Sequence, residues 1–219
     1  MTKKQRAAAI VAALERIYPE AECALKYDGE PWKLLVMGIL SAQCTDKRVN
    51  IVCEEMFKEI STLEKMAQAE VSVIENYVKP CGLYKTKAKN ISACAKILIE
   101  KYNGVLPDDM ESLLELPGVG RKIANLLLGD IFGKPSIVTD THCIRLAGRM
   151  GLCEKGEKNP VKVEKALLKI IEPEKQVDFC HRMVFFGREY CPARSPKCDE
   201  CPLSNICKKR VAPAGNDRA

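Results

Sequence analysis

The chain has 219 residues, of which 47% are hydrophobic, 29% charged and 5% aromatic, a balance that excludes disordered, fibrous and repetitive classes. No apolar run approaches the roughly 18 residues that a membrane span needs. The 35 Lys and Arg outweigh 29 Asp and Glu, a formal net charge of +6, which permits a polyanionic partner without requiring one.

At the N-terminus, Lys3, Lys4 and Arg6 precede the apolar stretch Ala7–Leu14, as in a short signal peptide. Glu15 and Arg16 follow at once, and Ala7, Ile10, Val11 and Leu14 recur at helical spacing, so the pattern predicts an amphipathic helix. Trp32–Ala42 is apolar on nearly all sides and predicts a central buried helix with Pro31 in its first turn. Asp46–Ile60 is amphipathic through Val49, Val52, Cys53, Met56 and Phe57, and Val71–Val78 is a short helix that stops before Pro80. Thr86–Tyr102 turns Ile91, Cys94, Ala95 and Leu98 inward and stops at Asn103-Gly104. Met110–Leu116 and Arg121–Phe132 are separated only by Pro-Gly-Val-Gly. Helices over Asp140–Met150, Pro160–Ile171 and Glu174–Glu189 complete the series. Ser136–Thr139 is an extended connector at most, and the tail after Arg210 is expected to fray. The fold class expected is all-α, with about ten helices and short loops.

Twelve cysteines are many for this length. Cys23, Cys44, Cys53, Cys81, Cys94, Cys143, Cys153 and Cys180 are scattered, mostly through apolar helical patterns. They read as small buried hydrophobes in a reducing cytoplasm, because a chain with this much core does not need disulfides. The other four form Cys191-x6-Cys198-x2-Cys201-x5-Cys207, interrupted by Pro192, Pro196 and Pro202. So short a segment cannot bury its own core, so a metal must organise it. Four thiolates suit a structural zinc or a [4Fe–4S] cluster, and the spacing alone leaves both open.

Leu116-Pro-Gly-Val-Gly-Arg-Lys-Ile-Ala-Asn125 joins two helices by a glycine hairpin. Gly118 and Gly120 allow positive φ and close approach of the backbone. Hairpin N–H groups and a helix N-terminus, with Arg121 and Lys122 beside them, suit a DNA phosphate without reading sequence. An ordinary helix–helix turn is the plainer alternative. Lys122 lies in the first helical turn, where the dipole disfavours its charge, and a neutral amine there is a potential nucleophile. Taken alone, a solvated lysine is the usual state of such a residue. Asp140 precedes a helical run and reads as an N-cap, or as a carboxylate that accepts a proton or stabilises cationic charge. His142 and His181, the two histidines of the chain, read as buried, hydrogen-bonded imidazoles. The run Tyr84–Lys89 carries three lysines, and His181–Ala219 has eight Lys and Arg against four Asp and Glu. Grouped around a hairpin, these charges look like a DNA footprint.

Together, Leu40-Ser-Ala-Gln-Cys-Thr-Asp46, Cys81-Gly-Leu-Tyr84, Leu116-Pro-Gly-Val-Gly-Arg-Lys122, Val138-Thr-Asp-Thr-His142 and the four-cysteine set resemble the endonuclease III family of helix–hairpin–helix DNA repair glycosylases, from about Trp32 to Cys207. The resemblance implies two helical lobes: a six-helix barrel over residues 22–134, and a cluster domain from residues 1–21 and 135–219. It implies a [4Fe–4S] cluster on Cys191, Cys198, Cys201 and Cys207. Duplex DNA with a damaged base or abasic site would lie across the cleft, with Lys122 and Asp140 at its mouth. Lys122 would attack C1′ of a flipped nucleotide as nucleophile, and Asp140 would assist. Gln43 would fill the gap left by the base, Leu83 would wedge into the opposite strand, and Gly118, Val119, Gly120, Arg121 and His142 would face DNA. The resemblance further implies oxidised pyrimidines as substrates, strand cleavage by β-elimination, a monomer, and a place in the bacterial cytoplasm or nucleoid. Cys44 departs from the family pattern, which often has Ala there, and exposes the site to oxidation. The rival readings are a mismatch or pyrimidine-dimer glycosylase of the same superfamily and a non-catalytic iron–sulfur DNA-binding protein. Adenine-mismatch and thymine–guanine enzymes typically lack the hairpin lysine. A ferredoxin-like electron carrier ranks last, since it has no use for the hairpin or for Lys122 and Asp140.

Overall fold

A computed structural model describes residues 1–209 and 211. Val211 aside, the tail expected to fray lies outside the described residues. The described chain has eleven α-helices and two short 3-10 turns, with no strand among the described residues. None of the described helices is long and apolar enough to cross a membrane. The chain divides into two compact units, one continuous over Cys23–Lys134 and one assembled from Met1–Glu22 and Pro135–Ala219.

The assembled unit opens with α1 (Lys3–Ile17), the helix expected from the Ala7–Leu14 pattern. Thr2 and Gln5 cap it reciprocally, Thr2 Oγ1 accepting from Gln5 N and Gln5 Oε1 accepting from Thr2 N. Its apolar face, Ala7, Ile10, Val11 and Leu14, is buried in a core shared with α9 (Thr141–Met150), α10 (Pro160–Leu168) and α11 (Gln176–Glu189). Phe179, Met183 and Phe186 carry the α11 side of that core. Burying side chains of this size contributes about 1.5–3 kcal/mol each. The largely buried Arg182 of α11 donates to Tyr18 O at 3.1 Å and pairs with Asp178 at 3.1 Å, which ties the end of α1 to α11.

The continuous unit is built on α2 (Pro31–Leu40), in which all residues from Leu34 to Leu40 are buried. Around it lie α3 (Asp46–Glu59), α4 (Leu63–Gln68), α5 (Val71–Val78), α6 (Tyr84–Tyr102), α7 (Met110–Glu115) and α8 (Arg121–Asp130). Helix α4 has no counterpart in the sequence reading. It is six residues long with only Leu63 and Met66 buried, too few for a periodicity to register. Helices α2 and α8 approach so closely that a Cβ on Gly38 would sit 3.0 Å from Ile123 Cγ2. That contact seats the start of α8 against the most buried helix of the unit.

The scattered cysteines largely follow expectation. Cys53, Cys81, Cys94, Cys143, Cys153 and Cys180 are buried, but Cys23 and Cys44 are only half-buried. Cys44 leaves the core because it follows the end of α2, in the turn Ser41–Cys44 closed by Cys44 N donating to Ser41 O.

Candidate functional site

In the continuous unit, α7 and α8 are joined by Leu116–Gly120, and the two hairpin glycines differ. Gly118 has φ +80, and a Cβ there would fall 2.6 Å from Asn90 Nδ2 of α6. Gly120 is the N-cap of α8 with φ −100 and ψ 176, extended backbone open to any residue. A Cβ on Gly120 would meet nothing within 4 Å. Internal packing therefore demands glycine at 118, and at 120 the absence of a side chain leaves room for something outside the molecule. Val119 does not face outward as expected. Its side chain is buried, and its N–H already donates to Leu116 O at 3.0 Å, so it anchors the turn.

The first turn of α8 has no side-chain cap and no acidic residue. Its leading N–H groups and its positive dipole end are thus turned outward. Arg121 and Lys122 occupy that turn, Arg121 half-buried and Lys122 exposed.

Two further loops of the same unit carry Gln43 and Leu83. Both residues have left-handed backbones, φ +55 and φ +49, which costs a non-glycine residue roughly 1–3 kcal/mol. Leu83 is also 60% exposed, a large apolar side chain held in a strained conformation away from the core. What holds the two loops is Lys87, which the sequence places in a solvated basic run. In the structure Lys85 and Lys89 are exposed but Lys87 is buried. Its Nζ donates to Leu40 O at 2.9 Å, Ala42 O at 2.7 Å and Cys81 O at 2.7 Å. One ammonium thus ties the end of α2 to the turn before α6, and burial lowers its pKa. The composition signalled a positive charge at 87 but not that it pointed inward. Replacing Lys87 with Met is expected to cost about 2–3 kcal/mol, because buried carbonyls lose their donor. Thermal unfolding should show a Tm lowered by several degrees.

In the assembled unit, Asp140 is the N-cap of α9, its Oδ1 accepting from Cys143 N at 2.7 Å. His142 packs on α11, where a Cβ on Gly187 would lie 2.5 Å from its Nδ1. Arg145 Nη2 lies 3.1 Å from that nitrogen. Since a guanidinium can only donate, Nδ1 is the acceptor of that contact.

Arg145 and Arg149, one helical turn apart on α9, hold the cysteine segment. Arg145 donates to Gly187 O and Cys191 O, and Arg149 to Pro192 O at 2.7 Å and Ala193 O at 2.8 Å. Sequence reasoning missed both, because Arg145 stands 46 positions before Cys191 and Arg149 43 before Pro192, with no local signal to join them.

Cys191, Cys198, Cys201 and Cys207 all line one small hollow, partly open to solvent, whose walls include Met150, Phe186 and Leu203. Burial and the mutual repulsion of the four sulfurs push the Cys201 and Cys207 thiols up, so four thiolates require a cationic centre among them. Arg149 Nη1 donates to Cys191 Sγ at 3.3 Å and Lys209 N to Cys207 Sγ at 3.2 Å, the N–H···S contacts that tune iron–sulfur sites. Among the described residues no three His, Cys, Asp or Glu side chains converge on one metal ion. Four thiolates of this kind serve a tetrahedral zinc or a cluster alike. The donor set and its surroundings fit an iron–sulfur cluster.

Residues 36–173 match the model of the HhH-GPD superfamily of base excision DNA repair proteins, and residues 191–207 match that of the iron–sulfur binding domain of endonuclease III. The endonuclease III of Bacillus subtilis (strain 168) is 40% identical over 193 residues, covering 88% of this chain and 87% of that protein. That of Escherichia coli (strain K12) is 37% identical, covering 91% and 93%. A solved trapped endonuclease III–DNA covalent intermediate superposes with a TM-score of 0.89 at 40% identity, covering 96% of this chain and 98% of that one. A thermostable thymine-DNA glycosylase shares the fold, with a TM-score of 0.83 at 21% identity.

Proposed function

The chain belongs to the endonuclease III family of base excision DNA repair proteins, and on that premise we propose that Lys122 is its amine nucleophile and Asp140 the carboxylate that assists it. The enzyme is a DNA glycosylase and abasic-site lyase and carries a [4Fe–4S] cluster. Its substrates are oxidised pyrimidines and abasic sites in duplex DNA, and it acts as a monomer in the bacterial cytoplasm. Residues 22–134 form the barrel domain, and residues 1–21 and 135–219 the cluster domain.

The observation that carries the assignment is the exposed Lys122 amine at the uncapped N-terminus of α8, behind a glycine hairpin with room for a phosphate. The damaged nucleotide is flipped out because C1′ is unreachable within the stack. The unprotonated Lys122 Nζ attacks C1′, the C1′–base bond breaks, and the base leaves with the electron pair. Asp140 stabilises the cationic sugar and takes a proton from the attacking nitrogen. The nitrogen lone pair then forms the C1′=N bond as the C1′–O4′ bond breaks and O4′ takes a proton, and the resulting protonated imine acidifies C2′, whose proton is lost as the C3′–O bond to the 3′ phosphate breaks. Gly118, Gly120 and Arg121 hold the backbone phosphate, and Val119 anchors that turn. Gln43 fills the vacated space and Leu83 wedges the opposite strand, a use that accounts for their strained, outward presentation. Cys191, Cys198, Cys201 and Cys207 hold the cluster, which, when bound, gives this segment the fold it cannot build from apolar residues. His142, whose Nδ1 meets Arg145 against α11, belongs to the DNA-facing set.

Borohydride trapping tests the assignment. With a duplex containing an abasic site, a covalent protein–DNA band is expected, and digestion should locate the adduct on the peptide containing Lys122. No band, or an adduct on another lysine, would overturn it. The hairpin is tested separately. Gly118→Ala is expected to cost about 1–3 kcal/mol of stability, from its backbone conformation and from Asn90. Gly120→Ala should stay within about 0.5 kcal/mol of the parent yet bind duplex DNA severalfold more weakly. Thermal unfolding alongside binding isotherms separates the two.

A further inference from the structure

Arg149 stands in the last turn of α9, 42 positions before the first of the four clustered cysteines. Its half-buried side chain reaches that cysteine and the two residues after it. Nη1 donates to Cys191 Sγ at 3.3 Å and to Pro192 O at 2.7 Å, and Nη2 donates to Ala193 O at 2.8 Å. The main chain of the same residue meets the last cysteine, whose Sγ donates to Arg149 O at 3.6 Å. One residue of α9 therefore touches both ends of the segment. Arg145, one turn earlier, differs. It donates to Thr141 O, Gly187 O and Cys191 O and to His142 Nδ1, so its contact with Cys191 is to the carbonyl. The planar fork of an arginine is what lets residue 149 serve two carbonyls and a sulfur at once.

We propose that Arg149 raises the reduction potential of the cluster through its charged hydrogen bond to the Cys191 sulfur, and slows loss of the cluster through its hold on Pro192 and Ala193. The proposal rests on the assignment of Cys191 as a cluster ligand. Four thiolates gather negative charge around the cluster, and reduction adds one electron more. A guanidinium donor against one of those sulfurs stabilises the reduced form more than the oxidised form, which raises the potential. The sign does not depend on which one-electron couple is used, because reduction adds negative charge in each. Half burial also leaves this cation less screened by salt than a fully exposed one. The second effect is mechanical. The segment cannot fold on apolar residues of its own, so the carbonyls of residues 192 and 193 are its handle on α9. Held there, Cys191 keeps one orientation. Released, the first ligand can swing away and open the cluster to solvent.

The test uses holoprotein, with variants reconstituted anaerobically with iron and sulfide where they are isolated short of cluster. Protein-film voltammetry reads the potential, and decay of the visible absorbance in air with EDTA reads cluster loss. Arg149→Gln is expected to weaken the hold on the added electron about tenfold, a fall of about 59 mV for one electron. Its cluster should be lost about tenfold faster than that of the parent. Arg149→Lys keeps the charge as a more hydrated point without the fork, so its electron should be held about threefold more weakly, with cluster loss close to that of the glutamine variant. Lys155→Gln removes an equal charge from an exposed residue that lines a neighbouring hollow with Arg149, and should match the parent in both readings. A parent potential in Arg149→Gln, or an equal fall in Lys155→Gln, would overturn the tuning. Cluster loss at the parent rate in both Arg149 variants would overturn the clamp. Should Arg149→Gln refuse the cluster, Arg149→Lys decides alone: a parent potential there overturns the tuning, and a parent rate of loss the clamp. Cys191→Ser tests the premise separately, since parent absorbance and potential in that variant would overturn Cys191 as a ligand whatever the Arg149 variants show.

Discussion

Lys122→Gln is expected to abolish the borohydride-trapped adduct and to lower strand cleavage at an abasic site by about a thousandfold or more, the scale on which loss of a covalent nucleophile acts. Glutamine is one atom shorter and stays polar but cannot form an imine. The substitution also removes a cation from the first turn of α8, where the dipole disfavours it, so stability should hold or rise by about 0.3–1 kcal/mol. Duplex binding should persist with its salt dependence little changed, because Gly118, Gly120 and Arg121 hold the phosphate. Activity, binding and thermal unfolding measured on one preparation check all three. A variant that folds, binds and still cleaves would sink the nucleophile assignment.

Asp140 has two tasks that one substitution can separate. Its Oδ1 caps α9 through Cys143 N, and its charge is proposed to assist the reaction. Asp140→Asn keeps a good capping side chain, so stability should fall by less than about 1 kcal/mol, mainly through the lost charge at the helix terminus. Base release should nevertheless fall by about a hundredfold to a thousandfold. Asp140→Ala should lose activity to a similar extent and, in addition, about 1 kcal/mol of stability with the cap. Single-turnover rates with thymine glycol duplexes, set against Tm, check the pair. Equal stability of the Asn and Ala variants would show that the cap contributes little, and full activity of Asp140→Asn would remove the carboxylate from the mechanism.

The long helices were legible because their apolar residues repeat every three to four positions over at least two turns. Val71–Val78 is observed with the bounds expected, and α8 begins at Arg121 as the hairpin required. Helix α4 fell below that threshold. At the site, identity was legible and direction was not. Lys87 looked like its neighbours Lys85 and Lys89, and only the fold shows that it satisfies three carbonyls. Gly118 and Gly120 looked equivalent, yet only the first has a positive φ. Val119 was expected to reach DNA because it lies between them, but its side chain belongs to the core. The cysteine spacing marked a metal site at once, while the choice between zinc and a cluster needed the family match, because thiolate ligands serve both.

The assembled unit has a consequence for how the chain is made. Its core draws on Met1–Glu22 and on Pro135–Ala219, with all of Cys23–Lys134 between them. Helix α1 therefore leaves the ribosome first and finds its partners on α9 and α11 last, after several seconds at about 5–20 residues per second. The continuous unit waits for nothing synthesised later. Until α11 emerges, Ala7, Ile10 and Leu14, each fully buried in the finished protein, have no native surface to cover them. A chain cut short before α9 would carry that apolar face of α1 with no native partner to bury it.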